Sequence, residues 1–501
     1  MTNRLSRRSV LKIGSGVGLL SLTATSIPAL MSVSSARAEP NPDILTVREV
    51  GGMPTYNGVS PGPSFLMDPG GTLDVELVND LPALNDDCTQ NMNNFHGLNT
   101  TNLHTHGLHV SPTTDASGEV DADNVFVSVV PKDQFVPCSD VCGESVAATF
   151  RTHKTKYRFE IGENHPSGTF WYHAHKHGSA ARQVGAGLAG PLIVRDKLGV
   201  MPDYIAQAPE KTLMIMNRGL VLAEPGGGGQ TAPTLTMRPG EVQRWRIINA
   251  QAAGNAFAYI ATNITDLEVY QIAFDGITLE KRISVELSDN REPWLNPAAL
   301  APGNRMDLIV RVPRDAREKI IPLGITTGLT DLLSFGSNTN NASLYIRISG
   351  DPVDAVWSGD DALPGPGPAL PGFDDAELPK RVIDFTPRFS IDGDKYDASI
   401  SQKMALGTSE EWTITNSTGG VHAFHIHVNP FFITHINGVE LPEGSPLRRW
   451  QDTIGLPYQQ NGRPGSITYK TRFETFKGKF VIHCHVLRHE DLGMMQTVEV
   501  A

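Results

Sequence analysis

Residues 480–495 read FVIHCHVLRHEDLGMM. His483 and His485 flank Cys484, His489 follows after four intervening residues, and Met494 after four more. The chain has only 4 cysteines in 501 residues, so the placing of this one is informative. A disulfide, a buried thiol and a metal ligand are the three readings open to it. A thiolate, an imidazole and a thioether spread across one short segment favour the third. Two His, one Cys and a weak axial Met form the ligand set of a blue-copper electron-transfer centre. His422 is the imidazole that can complete it, and the spacing favours Met494 over Met495 as the axial donor. If 480–486 is a strand, side chains alternate between its faces. Cys484 then points one way, while His483 and His485 point the other.

Three further clusters stand out among the 16 histidines. They are LHTHG at 103–107, TFWYHAH at 169–175 and HAFHIH at 422–427. On a strand, His-x-His puts both imidazoles on one face, aimed at one spot. With Cys484, His489 and His422 set aside, His104, His106, His173, His175, His425, His427, His483 and His485 remain. Eight imidazoles can hold more than one metal ion. They come from the two ends of the chain, so the site they form is expected at a domain interface, where pockets commonly arise.

The elements that must position these residues are strands. Segments 70–79 (GGTLDVELVN), 240–249 (GEVQRWRIIN) and 407–416 (GTSEEWTITN) each begin with Gly, alternate in polarity and end with Asn nine positions on. Alternation bounded by turn residues reads as a half-buried strand. The terminal Asn residues recur at a period of roughly 170, which predicts three copies of one β-domain. Two histidine clusters fall in the first copy and two in the third; the second has none. Linkers fit the division: 195–204 separates the first pair, and 351–375, with LPGPGPALPGFDD, the second. EPGGGGQ at 224–230 is a flexible loop within the middle copy. The expected boundaries are 39–196, 197–355 and 356–501. With 48 Gly and 35 Pro, the composition suits a turn-rich all-β chain.

Residues 1–38 are read as an export signal. SRRSVLK carries a twin arginine, 13–31 is mildly apolar, and Ala36-Arg37-Ala38 is a small-x-small cleavage site. The apolar run is too short and polar to serve as a comfortable membrane anchor. The segment holds Arg4, Arg7, Arg8, Lys12 and Arg37 and no acid, so a chain of net charge −12 becomes about −17 on its removal. That balance argues against nucleic acid as a partner. No later segment reads as transmembrane. Twin-arginine export carries folded cargo, which suits a protein loaded with a cofactor before it leaves the cell; a periplasmic or secreted location is expected.

Taken together, LHTHG, TFWYHAH, HAFHIH and the Cys484 segment resemble a three-domain, laccase-like multicopper oxidase, and the resemblance spans the whole chain after the signal. It implies three cupredoxin-like Greek-key β-sandwich or barrel domains and four copper ions. The type 1 copper would take His422, Cys484, His489 and Met494. The type 2 copper would take His104 and His425. The type 3 pair would take His106, His173, His175, His427, His483 and His485. A small reducing substrate would give up one electron at a time through the edge of His422 or His489. Cys484, bonded in sequence to His483 and His485, provides the covalent route to the cluster, where O2 is reduced to water.

Reduction of O2 also consumes protons. Glu490 occupies the place of an acid that relays them in similar bacterial enzymes. Asp123, in VDADNV, is a second candidate, in competition with Asp115 and Asp121. An axial Met goes with a lower potential in similar proteins, which favours phenols, aromatic amines or metal ions. Within the class the competing reading is an oxidase of Cu(I), Mn(II) or Fe(II); the 13 Met residues show no dense cluster that would favour Cu(I). Outside it, a copper nitrite reductase would not need eight cluster histidines, and a non-catalytic cupredoxin scaffold would have lost ligands. His109 and His177 fall outside the ligand pattern, and His153, His165 and His435 lack partners in sequence. Cys88, Cys138 and Cys142 read as disulfide candidates in an exported chain. Asp452, in WQDT, is read as structural.

Overall fold

The computed structural model describes residues 41–84, 91–134, 149–252, 257–260, 266–285, 292–323, 325–327, 343–368, 370–373 and 377–501. The disulfide candidates Cys88, Cys138 and Cys142 and the signal segment lie outside these residues.

Each of the three repeated segments is a strand: Thr72–Asn79, Val242–Asn249 and Thr408–Asn416. Each occupies the same place in its sheet. A parallel neighbour lies on one side: Ile44–Val50, Glu210–Met216 or Lys380–Thr386. An antiparallel neighbour lies on the other: Lys154–Glu160, Arg305–Arg311 or Gly465–Phe473. The terminal asparagines explain their own recurrence. Asn79, Asn249 and Asn416 are fully buried. Their carboxamide oxygens accept the backbone N–H two residues on, at Leu81, Gln251 and Thr418. Their Nδ2 groups donate to carbonyls of neighbouring segments, including Val129, Leu300 and Gly420. An Asx turn thus ends each strand and gives these carbonyls a partner.

A second sheet covers each of these. In the first copy, Phe65–Met67, Ala189–Val194, Gly168–His173 and His104–His106 form a four-stranded sheet. Leu73, Val75, Leu77, Tyr157 and Phe159 of one sheet pack against Phe65, Phe170, Tyr172 and Leu192 of the other. The third copy repeats the arrangement around Trp412, Ile414, Phe424, Tyr469 and Ile482. The middle copy has its own core around Leu213, Trp245, Ile247, Leu308 and Ile346.

The middle strand departs from expectation. All eight residues of Val242–Asn249 are buried, including Gln243, Arg244 and Arg246. The polar face that reads as solvent-exposed is covered by neighbouring elements. Both guanidinium groups donate to Asp307 Oδ2, at 2.7 Å from Arg244 Nη2 and 2.9 Å from Arg246 Nη1. Arg246 also donates to Glu210 and to Thr169 of the first copy. Among the described residues no helix is long and apolar enough to cross a membrane.

Candidate metal centre

Cys484 closes the strand Gly478–Cys484, which pairs antiparallel with His422–Ile426. The register sets Phe424 opposite Cys484 and His425 opposite His483. Opposed residues share a face. One face therefore carries Cys484 into the apolar core that also holds Met494 and Phe424. The other carries His425 and His483 to the opposite side. The strand ends at Cys484, two residues short of the expected 486: His485 lies just beyond it, its N–H donating to Ala423 O at 2.6 Å. His175 and His427 likewise sit just past strand ends, so in three of the four clusters one imidazole enters from a strand and one from the turn that follows.

On the core side, Cys484 Sγ lies 3.5 Å from His422 Nδ1 and 3.6 Å from His489 Nδ1, and the two nitrogens are 3.2 Å apart. The centre of that triangle is about 2 Å from each atom, the length of a metal–ligand bond. His422 Nε2 is engaged with Thr418 Oγ1 at 2.9 Å, which turns Nδ1 toward the sulfur. Burial pushes the Cys484 thiol up to about 12 and pulls His422 down to about 3 and His489 to about 4. A thiol so buried ionises only beside a compensating cation. Met494 shares this core, whereas Met495 packs elsewhere, with Val125, Tyr396 and Val481. His422 is 5 % exposed and His489 more so, with Phe389 stacked on the latter at 4.7 Å. His489 is thus the edge that faces outward.

The eight remaining histidines converge, all buried. His175 Nε2 and His427 Nε2 lie 3.1 and 3.2 Å from His483 Nε2, and His485 Nε2 lies 3.1 Å from His106 Nδ1. Two pairs of rings stack at 3.9 Å: His104 on His427, and His106 on His425. Outer nitrogens are held. His104 Nδ1 donates to Asp123 at 2.9 Å, His173 Nδ1 to Ala174 O at 2.9 Å and His425 Nδ1 to Asp452 O at 2.9 Å. The inner Nε2 atoms of His104, His173 and His425 are buried with no hydrogen-bond partner. Such orphaned acceptors are rare unless something binds them. Burial, then the charge of neighbouring histidines, holds His104, His106, His427, His483 and His485 well below the ordinary imidazole range. Neutral rings with free lone pairs turned inward are what a metal ion requires.

Two carboxyl groups adjoin the histidines. Asp123 accepts from His104 Nδ1 and from the Thr105 N–H, and burial lifts it to about 7. Glu490, fully buried on the helix Leu487–Asp491, lies 3.7 Å from His175 Nδ1 and 3.5 Å from His483 Nδ1. Neither of its oxygens has a hydrogen-bond partner. Burial, then the charge of Asp491, drives its carboxyl well above the usual range. The other candidates lie apart. Asp115 folds an exposed turn onto Ser117 and Val120. Asp121 is bound by Thr114, Arg151 and Thr155.

Some participants left no sequence signal. Asp491 accepts the N–H groups of Gly178, Ala180 and Ala181, so an acid of the third copy seats the helix Ala180–Ala186 of the first. Asp452, read as structural, has Oδ1 only 3.2 Å from His106 Nε2. His109 donates from Nδ1 to Val428 O, His177 Nε2 meets Asn93 Oδ1, His153 meets Asp80 and His435 meets Thr434.

His165 accepts the His109 N–H on Nε2 and donates from Nδ1 to Pro166 O, and burial pulls it down to about 4. In the unfolded chain it titrates near 6.5. As pH falls from 6.5 to 4 the unfolded state takes up a proton that the folded state refuses, so stability is lost across that window and levels off below it. In His165→Gln the acid-side loss should shrink by about 2–3 kcal/mol. Thermal unfolding of the two proteins at pH 7 and pH 4.5 measures it, and equal losses would contradict the assignment.

Comparison with known proteins places this geometry. Residues 145–199 and 372–501 match two family models, each described as multicopper oxidase. The second match spans His422, His425, His427, His483, Cys484, His485 and His489, the seven residues that the third copy brings to the two clusters over that stretch. The chain belongs to the multicopper oxidases. A multicopper oxidase of Staphylococcus haemolyticus is 25 % identical over 89 % of this chain and 83 % of its own length. A laccase of Bacillus subtilis is 22 % identical, covering 89 % of each. Among solved structures, the Campylobacter jejuni multicopper oxidase, described as a metallo-oxidase, superposes with a TM-score of 0.61 at 22 % identity, covering 91 % of this chain and 90 % of that one. A laccase of Pediococcus acidilactici gives 0.61 at 20 % identity over 93 % and 92 %. The fold is accordingly all-β and cupredoxin-like. As a multicopper oxidase the protein is a copper-dependent oxidoreductase that draws electrons from a reducing substrate and delivers them to O2.

Proposed function

We propose that the protein is a laccase-like oxidase of phenols and aromatic amines carrying four coppers. His422, Cys484, His489 and axial Met494 hold the type 1 ion, and His104 and His425 the type 2 ion. His106, His173, His175, His427, His483 and His485 hold the type 3 pair. The reading rests on one observation above all. The imidazoles are buried, with unpartnered nitrogens of His104, His173 and His425 turned inward, and Cys484 stands on the opposite face of the strand that bears His483. Bound copper supplies one-electron oxidation at the sulfur-ligated site and O2 reduction at the histidine site. The protein's own groups do the rest. The outward edge of His489 meets the reductant, and the backbone from Cys484 to His483 and His485 spans the two sites in single covalent steps. Glu490 stores a proton beside His175 and His483, and Asp123 holds the tautomer of His104.

In this proposal residues 1–38 are a twin-arginine signal recognised by that export machinery. The cupredoxin domains follow at 39–196, 197–355 and 356–501, and the protein works in the periplasm or outside the cell. Steady-state kinetics of the copper-loaded protein on a panel of phenols, beside Cu(I), Mn(II) and Fe(II), test the substrate class. The phenols should give the higher kcat/KM; turnover confined to a metal ion would replace this reading with that of a metal oxidase. A visible spectrum tests the copper assignment. An intense band near roughly 600 nm is expected of the Cys-ligated site, and its absence in copper-loaded protein would remove the type 1 assignment.

A further inference from the structure

The middle copy contributes no histidine, yet beyond Gly303, which lies against the His106 and His485 rings, its residues also reach the histidine cluster through a carboxylate. Asp452 lies between the strands Trp450–Gln451 and Thr453–Leu456 of the third copy. Its Oδ1 is 3.2 Å from His106 Nε2 and 3.5 Å from His425 Nδ1, and its backbone carbonyl accepts from His425 Nδ1 at 2.9 Å. Thr453 Oγ1 bridges the same two nitrogens at 3.2 and 3.0 Å. A histidine that donates from one nitrogen leaves the other as its lone pair. The 452–453 pair therefore turns opposite atoms of two rings inward: Nδ1 of His106, toward His485, and Nε2 of His425, which has no other partner.

What holds Asp452 belongs to the middle copy. Arg305, fully buried at the start of Arg305–Arg311, donates from Nη1 to Oδ1 at 2.8 Å and from Nη2 to Oδ2 at 2.6 Å. This bidentate fork fixes the plane of the carboxylate as well as its charge. Asp275, at the tip of the hairpin joining Glu268–Phe274 to Ile277–Ser284, accepts the backbone N–H groups of Asp452 and Thr453, each at 3.1 Å. It also accepts from the Arg305 N–H and from Asn304 Nδ2, which in turn donates to Thr453 O. The fit leaves no slack. A Cβ on Gly107 would stand 2.1 Å from Arg305 Nη2 and 2.7 Å from Asp452 Oδ2.

We propose that Arg305 and Asp275 are positioning residues: acting through Asp452 and Thr453, the histidine-free copy sets the tautomers of His106 and His425 and so the metal affinity of the eight-histidine site. The inference rests on the ligand assignment above. The test uses copper-loaded protein of the full chain, with copper per chain measured after dialysis against EDTA, together with the thiolate band and the type 2 EPR signal. In Arg305→Gln the thiolate band should persist, while the remaining copper leaves at least ~10-fold faster and the type 2 signal changes or vanishes. Arg246→Gln is the control, because Arg246 is equally buried but meets Asp307, Glu210 and Thr169 and no histidine. It should retain all its copper. Arg305→Lys keeps the charge without the fork, and decides the matter if the Gln form does not accumulate; it should show the same selective loss to a smaller degree. Full copper and an unchanged EPR signal in a folded Arg305 variant would overturn the proposal. So would an equal loss in Arg246→Gln, which would make the effect one of general stability. If the unaltered protein bound no copper beyond the thiolate site, the ligand assignment would fail instead.

Discussion

Cys484→Ser protein should come out colourless, short of one copper and unable to oxidise any substrate, while keeping the copper held by the eight histidines. The hydroxyl is close to the thiol in volume, and the site lies in a packed core with Met494 and Phe424, so the chain still folds, at a cost of about 1–2 kcal/mol for the buried polar group. An alcohol is a poor ligand where a thiolate was needed, and it gives no thiolate-to-metal absorption. Selectivity is what makes the experiment decisive. His483 and His485 stay on their own face, with partners His175, His427 and His106 that do not touch residue 484. Activity should therefore vanish without loss of the histidine-bound metal. Copper analysis beside an O2-consumption trace reads both. Residual turnover near that of the unaltered protein would show that electrons reach the cluster by another path.

Glu490→Gln should do the reverse: full colour, full copper and turnover slowed roughly 100-fold, the scale of a lost general acid. The carboxyl is fully buried, and both its oxygens lack hydrogen-bond partners. Burial, then the charge of Asp491, drives its carboxyl well above the usual range and so favours the protonated form. In the proposed relay it offers that proton beside His175 and His483. The amide matches its shape but releases no proton. The slowed step should be re-oxidation by O2, so in a stopped-flow experiment substrate would bleach the blue band at its usual rate and the colour would return slowly. Unchanged re-oxidation would end the relay assignment for Glu490.

The convergence of the histidines, and of Cys484 with His422 and His489, was legible in sequence because His-x-His keeps its pattern on a strand or across a strand end. The three Asn-ended strands were legible for a similar reason, since each Asn closes a turn of the same shape. Arg305 and Asp275 were not, and Asp452 was legible in WQDT only as a structural residue, not as their partner. They are common residue types, 30 to 177 positions apart, and only tertiary packing brings them together. The buried face of Val242–Asn249 misleads for a related reason. Arginine on alternate positions normally signals solvent, and the compensating Asp307 lies on a neighbouring strand with no mark of its role. Met494 and Met495 differ in sequence by one step, and only the fold assigns them to separate clusters.

With copper at the proposed sulfur site, the pairing of Gly478–Cys484 with His422–Ile426 makes the colour of the protein an index of its assembly. Displace the Gly478–Cys484 strand by a single residue, and His483 turns into the apolar core while the thiol turns out of it. Parity leaves no half-correct arrangement, in which the sulfur site is built and the histidines of the same strands are astray. A blue colony, fraction or crystal would therefore report more than one bound ion. It would certify that both strands met with the right parity, and a library of variants could be sorted by eye for folding before any substrate is added.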